Sequence, residues 1–271
     1  MLLKALIFDV DGTLAETEEA HRQSFNEAFA AFGLPWIWDK ELYRELLQVT
    51  GGKERLRYYI DRWGPERSDL ALSHFGRIYE LSSARYAALV GEGAAQPRPG
   101  IRRLISEARQ RGVKLAIATT SAPGSVEALL RSMLGEKGPS WFVVIAAGDS
   151  VAHKKPAPDI YRLALEKLRC RPQSSIAIED SENGVKAAVA AGLPVIAAPS
   201  SYLGADDLSL ADSVLTDLGE PGRPCQLISG LKFEHGYVDI DALNDWLCER
   251  QHQGKTRLNA MAASLHIRQS R

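Results

Sequence analysis

The first ten residues hold the strongest constraint on the fold: positions 3–10 are apolar except at Lys4 and Asp9. A short run of this kind, without polar alternation, is the pattern of a strand covered on both faces. Comparable runs recur at residues 113–118, 141–147, 175–178 and 194–198. Helical patterns lie between them. Val185, Ala188, Val189 and Gly192 fall at i, i+3, i+4 and i+7, and Gly192-Leu193-Pro194 then ends the helix and returns the chain to a strand. Ile160, Leu163 and Ala164 leave a similar stripe after Pro156-Ala157-Pro158. Strand and helix in this rhythm predict an α/β fold, a Rossmann-like three-layer α/β/α core around a parallel sheet.

Residues 15–94 break the rhythm. Phe25, Ala28, Phe29 and Phe32 share one helical face, and residues 42–49, 56–63 and 78–90 also read as helices. This predicts a helical cap inserted after the first strand, with Trp36 and Trp38 serving its packing. The Gly- and Pro-rich residues 91–100 form a return hinge. The expected division is a core of residues 1–14 and 95–247, a cap of residues 15–94 and a basic tail of residues 248–271. An insert hung above the carboxyl edge of a sheet can close over a ligand.

Charge and cysteine usage narrow the possible partners. With 33 basic and 34 acidic side chains, the chain carries no electrostatic footprint for nucleic acid or a membrane surface. The apolar start runs directly into Asp9, too short for a signal segment or a membrane span. Cys170, Cys225 and Cys248 form no paired motif, which suits a reducing compartment: the cytoplasm, or a plastid stroma after removal of a transit segment. A monomer is expected.

The polar residues collect where strands end. Asp9 and Asp11 close the first strand, Thr119, Thr120 and Ser121 the second, and Glu179, Asp180 and Ser181 the one at residues 175–178. In an open parallel sheet, the crevice outside these ends is the expected ligand site. Capping of the following helices would explain any one acidic residue, but not the whole set. Asp9, Asp11, Glu179 and Asp180 converging without histidine or thiolate suit a hard cation, so magnesium is the expected cofactor. Lys155 supplies a positive charge for the nucleophile or the transferring group.

These residues resemble the motifs of the haloacid dehalogenase superfamily. Asp9-Val10-Asp11-Gly12-Thr13-Leu14 is similar to its first motif, Thr119 to its second, Lys155 to its third and Glu179-Asp180-Ser181-Glu182-Asn183-Gly184 to its fourth. The insert resembles the small helical cap of the β-phosphoglucomutase and phosphoglycolate phosphatase branch. Within it, the similarity to CbbY-type sugar bisphosphate phosphatases rests on Leu14-Ala15-Glu16-Thr17-Glu18, Val49-Thr50-Gly51-Gly52-Lys53-Glu54-Arg55 and Lys154-Lys155-Pro156-Ala157-Pro158-Asp159-Ile160-Tyr161. It extends to about Trp246. A family lysine before Ala-Arg-Tyr is replaced here, in Leu81-Ser82-Ser83-Ala84-Arg85-Tyr86.

The resemblance implies removal of the C1 phosphate from xylulose-1,5-bisphosphate, an inhibitor of Rubisco. Asp9 is then the nucleophile and Asp11 the general acid and base, its neutral form favoured by phosphate and neighbouring carboxylates. Thr119 and the amide of Thr120 bind the transferring group, with Ser121 beside them. Magnesium is held by Asp9, the carbonyl of Asp11 and Asp180, with Glu179 alongside. In the cap, Thr50, Gly51, Gly52 and Lys53 form a loop suited to a second phosphate, and Glu16 and Tyr43 suit substrate hydroxyls; Arg57 and His21 are further candidates. The alternatives are a phosphomutase, a phosphoglycolate phosphatase or a receiver-like phosphoacceptor that signals without turnover.

Overall fold

The computed structural model describes residues 3–202 and 206–250. Its central sheet contains β1 (Ala5–Phe8), β4 (Lys114–Ala118), β5 (Val144–Ala146), β6 (Ser175–Glu179), β7 (Val195–Ala197), β8 (Ser213–Leu215) and β9 (Leu227–Gly230), in the order β5-β4-β1-β6-β7-β8-β9. Every pairing is parallel except β8 with β9. β1 thus lies inside the sheet, between β4 and β6.

Side-chain alternation along these strands divides the core in two. Leu6 and Phe8 join Leu115, Ile117, Ile176 and Ile178 beneath α6 (Ile101–Gln110) and α7 (Pro123–Leu134), with the helical residues 240–250 adding Leu243, Trp246 and Leu247. Ala5 and Ile7 face the other way, against α8 (Asp159–Leu168) and α9 (Glu182–Ala190). Small residues dominate the strands on that side, including Ala116, Ala118, Ala177 and Ala197, and let these helices sit close.

The insert contains α1 (Glu18–Ala31), α2 (Lys40–Leu46), α3 (Gly52–Trp63), α4 (Ser68–Ser73) and α5 (Phe75–Gly91). They surround a separate apolar cluster in which Phe29, Trp36, Trp38 and Tyr59 meet edge to face, with Phe25 and Tyr43 tilted against Trp38.

Three features depart from the sequence expectation. The return linker carries β3 (Gln96–Pro97), which pairs antiparallel with β2 (Ala15–Glu16), so the two crossings are joined rather than separate hinges. β8 and β9 extend the sheet; at three and four residues, with β9 exposed throughout, neither gives a readable period. The run expected to start at Trp141 is a 3₁₀ turn through Trp141 before β5 begins at Val144. The basic tail lies outside the described residues beyond Arg250, which pairs with Asp212 at 2.6 Å. Among the described residues, no helix is long and apolar enough to cross a membrane.

Candidate active site

Because β1, β4 and β6 run parallel and adjacent, their polar termini open onto one cavity of about 770 Å³. Its wall includes Asp9, Asp11, Thr119, Thr120, Ser121, Lys155 and Asp180 from the core. Thr50, Gly51, Gly52, Glu18, His21 and Arg44 face it from the insert.

Asp9 and Asp11 are two residues apart, yet their surroundings differ. The turn that follows Asp11 depends on Gly12, at φ 77°, where a Cβ would also collide with the Asp180 carboxylate. Asp9 accepts a hydrogen bond from Lys155 Nζ at 2.6 Å, and the same ammonium donates to Glu179 Oε1 at 2.6 Å. Burial pushes the Asp9 carboxyl up to about 7; Lys155 opposes this, while Glu179 and Asp11 reinforce it. Lys155 is held firmly protonated, since the charges of Asp9 and Glu179 outweigh the cost of burying it.

Asp11 turns toward the insert. Thr17 Oγ1 donates to its Oδ1 at 2.7 Å, His21 Nε2 lies 2.9 Å from the same oxygen, and Ser121 Oγ donates to Oδ2. Burial works to raise the Asp11 carboxyl, but His21, together with the hydrogen bonds from His21, Ser121 and Thr17, overrides it and holds the group well below the usual carboxylate range. Of the two influences expected to favour neutral Asp11, phosphate and neighbouring carboxylates, the second is outweighed: its immediate partners are donors. His21 is itself fixed by stacking on Tyr86, with ring centroids 3.9 Å apart. The one-turn spacing of Thr17 and His21, with α1 beginning between them, was the available sequence signal.

Asp9, Glu179 and Asp180 bring carboxylate oxygens within 4.8 Å of one another. Glu179 is fully buried, and its Oε1 also accepts from Tyr161 at 2.5 Å. Its Oε2 accepts from the Asp180 amide at 3.2 Å and from Ser181 Oγ at 3.4 Å. Gly184 leaves room for it, because a Cβ there would strike both Glu179 oxygens. Asp180 differs: Thr13 Oγ1 reaches its Oδ1 at 3.4 Å, but Oδ2 is buried without a hydrogen-bond partner. Burial, reinforced by Asp9 and Glu179, pushes the Asp180 carboxyl up. An orphaned buried carboxylate oxygen beside a second carboxylate fits a hard divalent cation. The Asp11 carboxylate is not part of this cluster.

The insert candidates separate clearly. Gly51 caps α3 at φ 99°, Gly52 is its first residue, and Thr50 Oγ1 accepts from Asn183 Nδ2 at 3.0 Å. The same Asn183 amide donates to Gln48 O at 3.1 Å, tying the insert to the core. These loop residues line the cavity; four other candidates do not. Lys53 instead pairs with Asp149 at 2.6 Å on the exterior. Glu16 is drawn to Arg98 at 3.3 Å and accepts from Ser201 at 3.0 Å. Tyr43 is fully buried, donating to Glu18 at 3.1 Å and accepting from Arg55 at 2.9 Å. Arg57 points outward to Asp61 at 2.8 Å, as an i,i+4 pair on an exposed helical face.

Other functional neighbours were not anticipated. Glu18, Arg55 and Tyr161 lie within stretches that carry the family resemblance but were given no role there, and Arg44 lies in none; the folded arrangement brings them here.

A family model for haloacid dehalogenase-like hydrolases matches residues 3–192. Protein CbbY of Cereibacter sphaeroides is 48% identical over 221 residues, covering 82% of this chain and 95% of that protein. A plasmid-encoded CbbY of Cupriavidus necator is 44% identical over 247 residues, covering 90% of this chain and 96% of that protein. Among solved structures, a mutant CbbY from Rhodobacter sphaeroides in complex with xylulose-1,5-bisphosphate superposes with a TM-score of 0.76 at 47% identity, covering 82% of this chain and 97% of that one.

Proposed function

The chain belongs to the haloacid dehalogenase-like hydrolases and is a phosphatase of phosphate esters, and from that premise we propose that it removes the C1 phosphate of xylulose-1,5-bisphosphate through an aspartyl-phosphate on Asp9. The reading is carried by one observation: Asp9 and Asp11 open onto the same cavity from the end of β1, one held by Lys155 and the other by donors that include the insert's His21.

In this scheme an Asp9 carboxylate oxygen attacks phosphorus as the P–O bond to the sugar breaks. Asp11 delivers its proton to the departing alkoxide, then takes one from the water that hydrolyses the aspartyl-phosphate. An incoming phosphate dianion favours proton uptake by Asp11, offsetting the donors that keep it ionised beforehand. Thr119 and the Thr120 amide steady the transferring oxygens, and Lys155 balances charge on Asp9. Asp9 and Asp180 would hold magnesium, with the Asp11 carbonyl, while Glu179 fixes Lys155. Magnesium supplies compensation for the phosphoryl charge. The insert serves as the cap that selects the sugar and limits access of water.

A panel of sugar bisphosphates and monophosphates tests the substrate. Phosphate release fastest from xylulose-1,5-bisphosphate supports the reading; isomerised sugar phosphate formed without free phosphate replaces it with a mutase. Chelation of divalent cations should lower phosphate release by about 10³-fold, and added magnesium should restore it. Asp180→Asn should shift the magnesium dependence to higher concentrations, read from the half-saturating metal concentration. Full activity in chelator would remove the metal from the scheme.

A further inference from the structure

We propose that Arg44 is the specificity-determining cation for the second anionic group of the substrate, at the end of the sugar away from Asp9; this rests on the sugar bisphosphate reading above. The cationic side chains on the cavity wall are Lys155, Arg55 and Arg44. Lys155 is buried between Asp9 and Glu179. Arg55 is also buried, donating to Tyr43 Oη and the Leu46 carbonyl beside Glu18. Lys155 is thus committed to two carboxylates, and Arg55, although no carboxylate lies within ion-pairing distance of it among the described residues, presents no exposed guanidinium.

Arg44 does. It is exposed to the cavity on α2, and no carboxylate lies within ion-pairing distance of its guanidinium among the described residues. Its contact is the face of Tyr202, with Cζ 5.7 Å from the ring centroid. Tyr202 is oriented in turn by donating to Glu19 and by an edge contact with Tyr43. The guanidinium is therefore placed by an aromatic surface while its N–H groups stay available, the arrangement suited to bidentate phosphate recognition. Lys53, expected from sequence to fill this role, is already paired with Asp149 at 2.6 Å, at the cavity's edge over the ring of Tyr79. The insert wall near α5 offers Ser82 and Ser83, which are uncharged.

Arg44→Gln and Arg44→Lys, each compared with wild type, test the assignment on xylulose-1,5-bisphosphate and on xylulose-1-phosphate, which lacks the distal group. Arg44→Gln should raise KM for the bisphosphate about 30-fold and change KM for the monophosphate by less than about 3-fold, with kcat little altered in both. Arg44→Lys should recover part of the loss, because it keeps the charge without the planar fork. Equal losses on both sugars, or no loss on the bisphosphate, overturn the assignment. Calorimetric binding of the bisphosphate to Asp9→Asn, with and without Arg44→Gln, gives a readout that does not depend on turnover. Undiminished binding in the double variant also overturns it. Wild-type protein that releases no phosphate from either sugar would count against the substrate reading, while the binding comparison would still decide the role of Arg44.

Discussion

Replacing Asp9 with Asn should reduce phosphate release by about 10⁴-fold or more, yet leave the protein at least as resistant to unfolding as wild type. The two expectations share one cause. Asp9 is buried beside Glu179 and Asp180, with Lys155 as the only cation donating to it among the described residues. An amide in its place removes a buried negative charge from a crowded group and leaves Lys155 paired with Glu179. Nucleophilicity is lost and carboxylate repulsion relieved by the same substitution. Phosphate release and thermal unfolding in chelator, measured on one preparation, test both halves. Residual turnover above about one part in a hundred would displace Asp9 as the nucleophile. A lower melting temperature would show that the cluster is not strained as described.

Lys155→Met should also abolish turnover, but with the opposite effect on stability: a loss of about 3–5 kcal/mol in denaturant unfolding at neutral pH. Methionine keeps an unbranched shape while the ammonium is lost, leaving Asp9 and Glu179 buried without their shared donor. The Asp9 carboxyl, already raised by burial, then rises further above its unfolded value. The folded protein therefore holds more protons than the unfolded chain in that window, and its stability falls as pH rises. The deficit should be smaller near about pH 5 than near about pH 8. Combining Lys155→Met with Asp9→Asn should recover part of the loss, since one uncompensated charge is removed. Wild-type stability in Lys155→Met would show that this ammonium does not hold the cluster together.

The core was legible in the sequence because its strands are buried on both faces and each ends in residues of a different chemical kind. A run such as Leu6-Ile7-Phe8 followed by Asp9 leaves little ambiguity about where the strand lies or which end carries chemistry. The insert was legible as helices but not as a binding surface. Tyr43 and Arg44 are adjacent on α2, yet one is sealed in the insert's apolar cluster and the other faces the cavity. Lys53 and Arg55 stand two residues apart on α3, and their cations go to an exterior carboxylate and to a buried tyrosine. Helical phase against an unseen partner decides such cases, and a single residue of rotation reverses them. The donors around Asp11 were hidden for a similar reason. Its partner Ser121 comes from a different strand end, 110 positions away.

The pairing of β2 with β3 has a mechanical consequence. Ala15 and Glu16 face Pro97 and Gln96 across a short antiparallel ladder. Arg98, immediately after it, donates from its amide to Leu14 O and from its side chain to Gly12 O and Ala198 O. Two independent tethers would let the insert slide, tilt and twist. A single stitched seam reduces those freedoms to a swing about one line. Any opening of the cavity by the insert would then follow one angular coordinate, set by the stiffness of that seam.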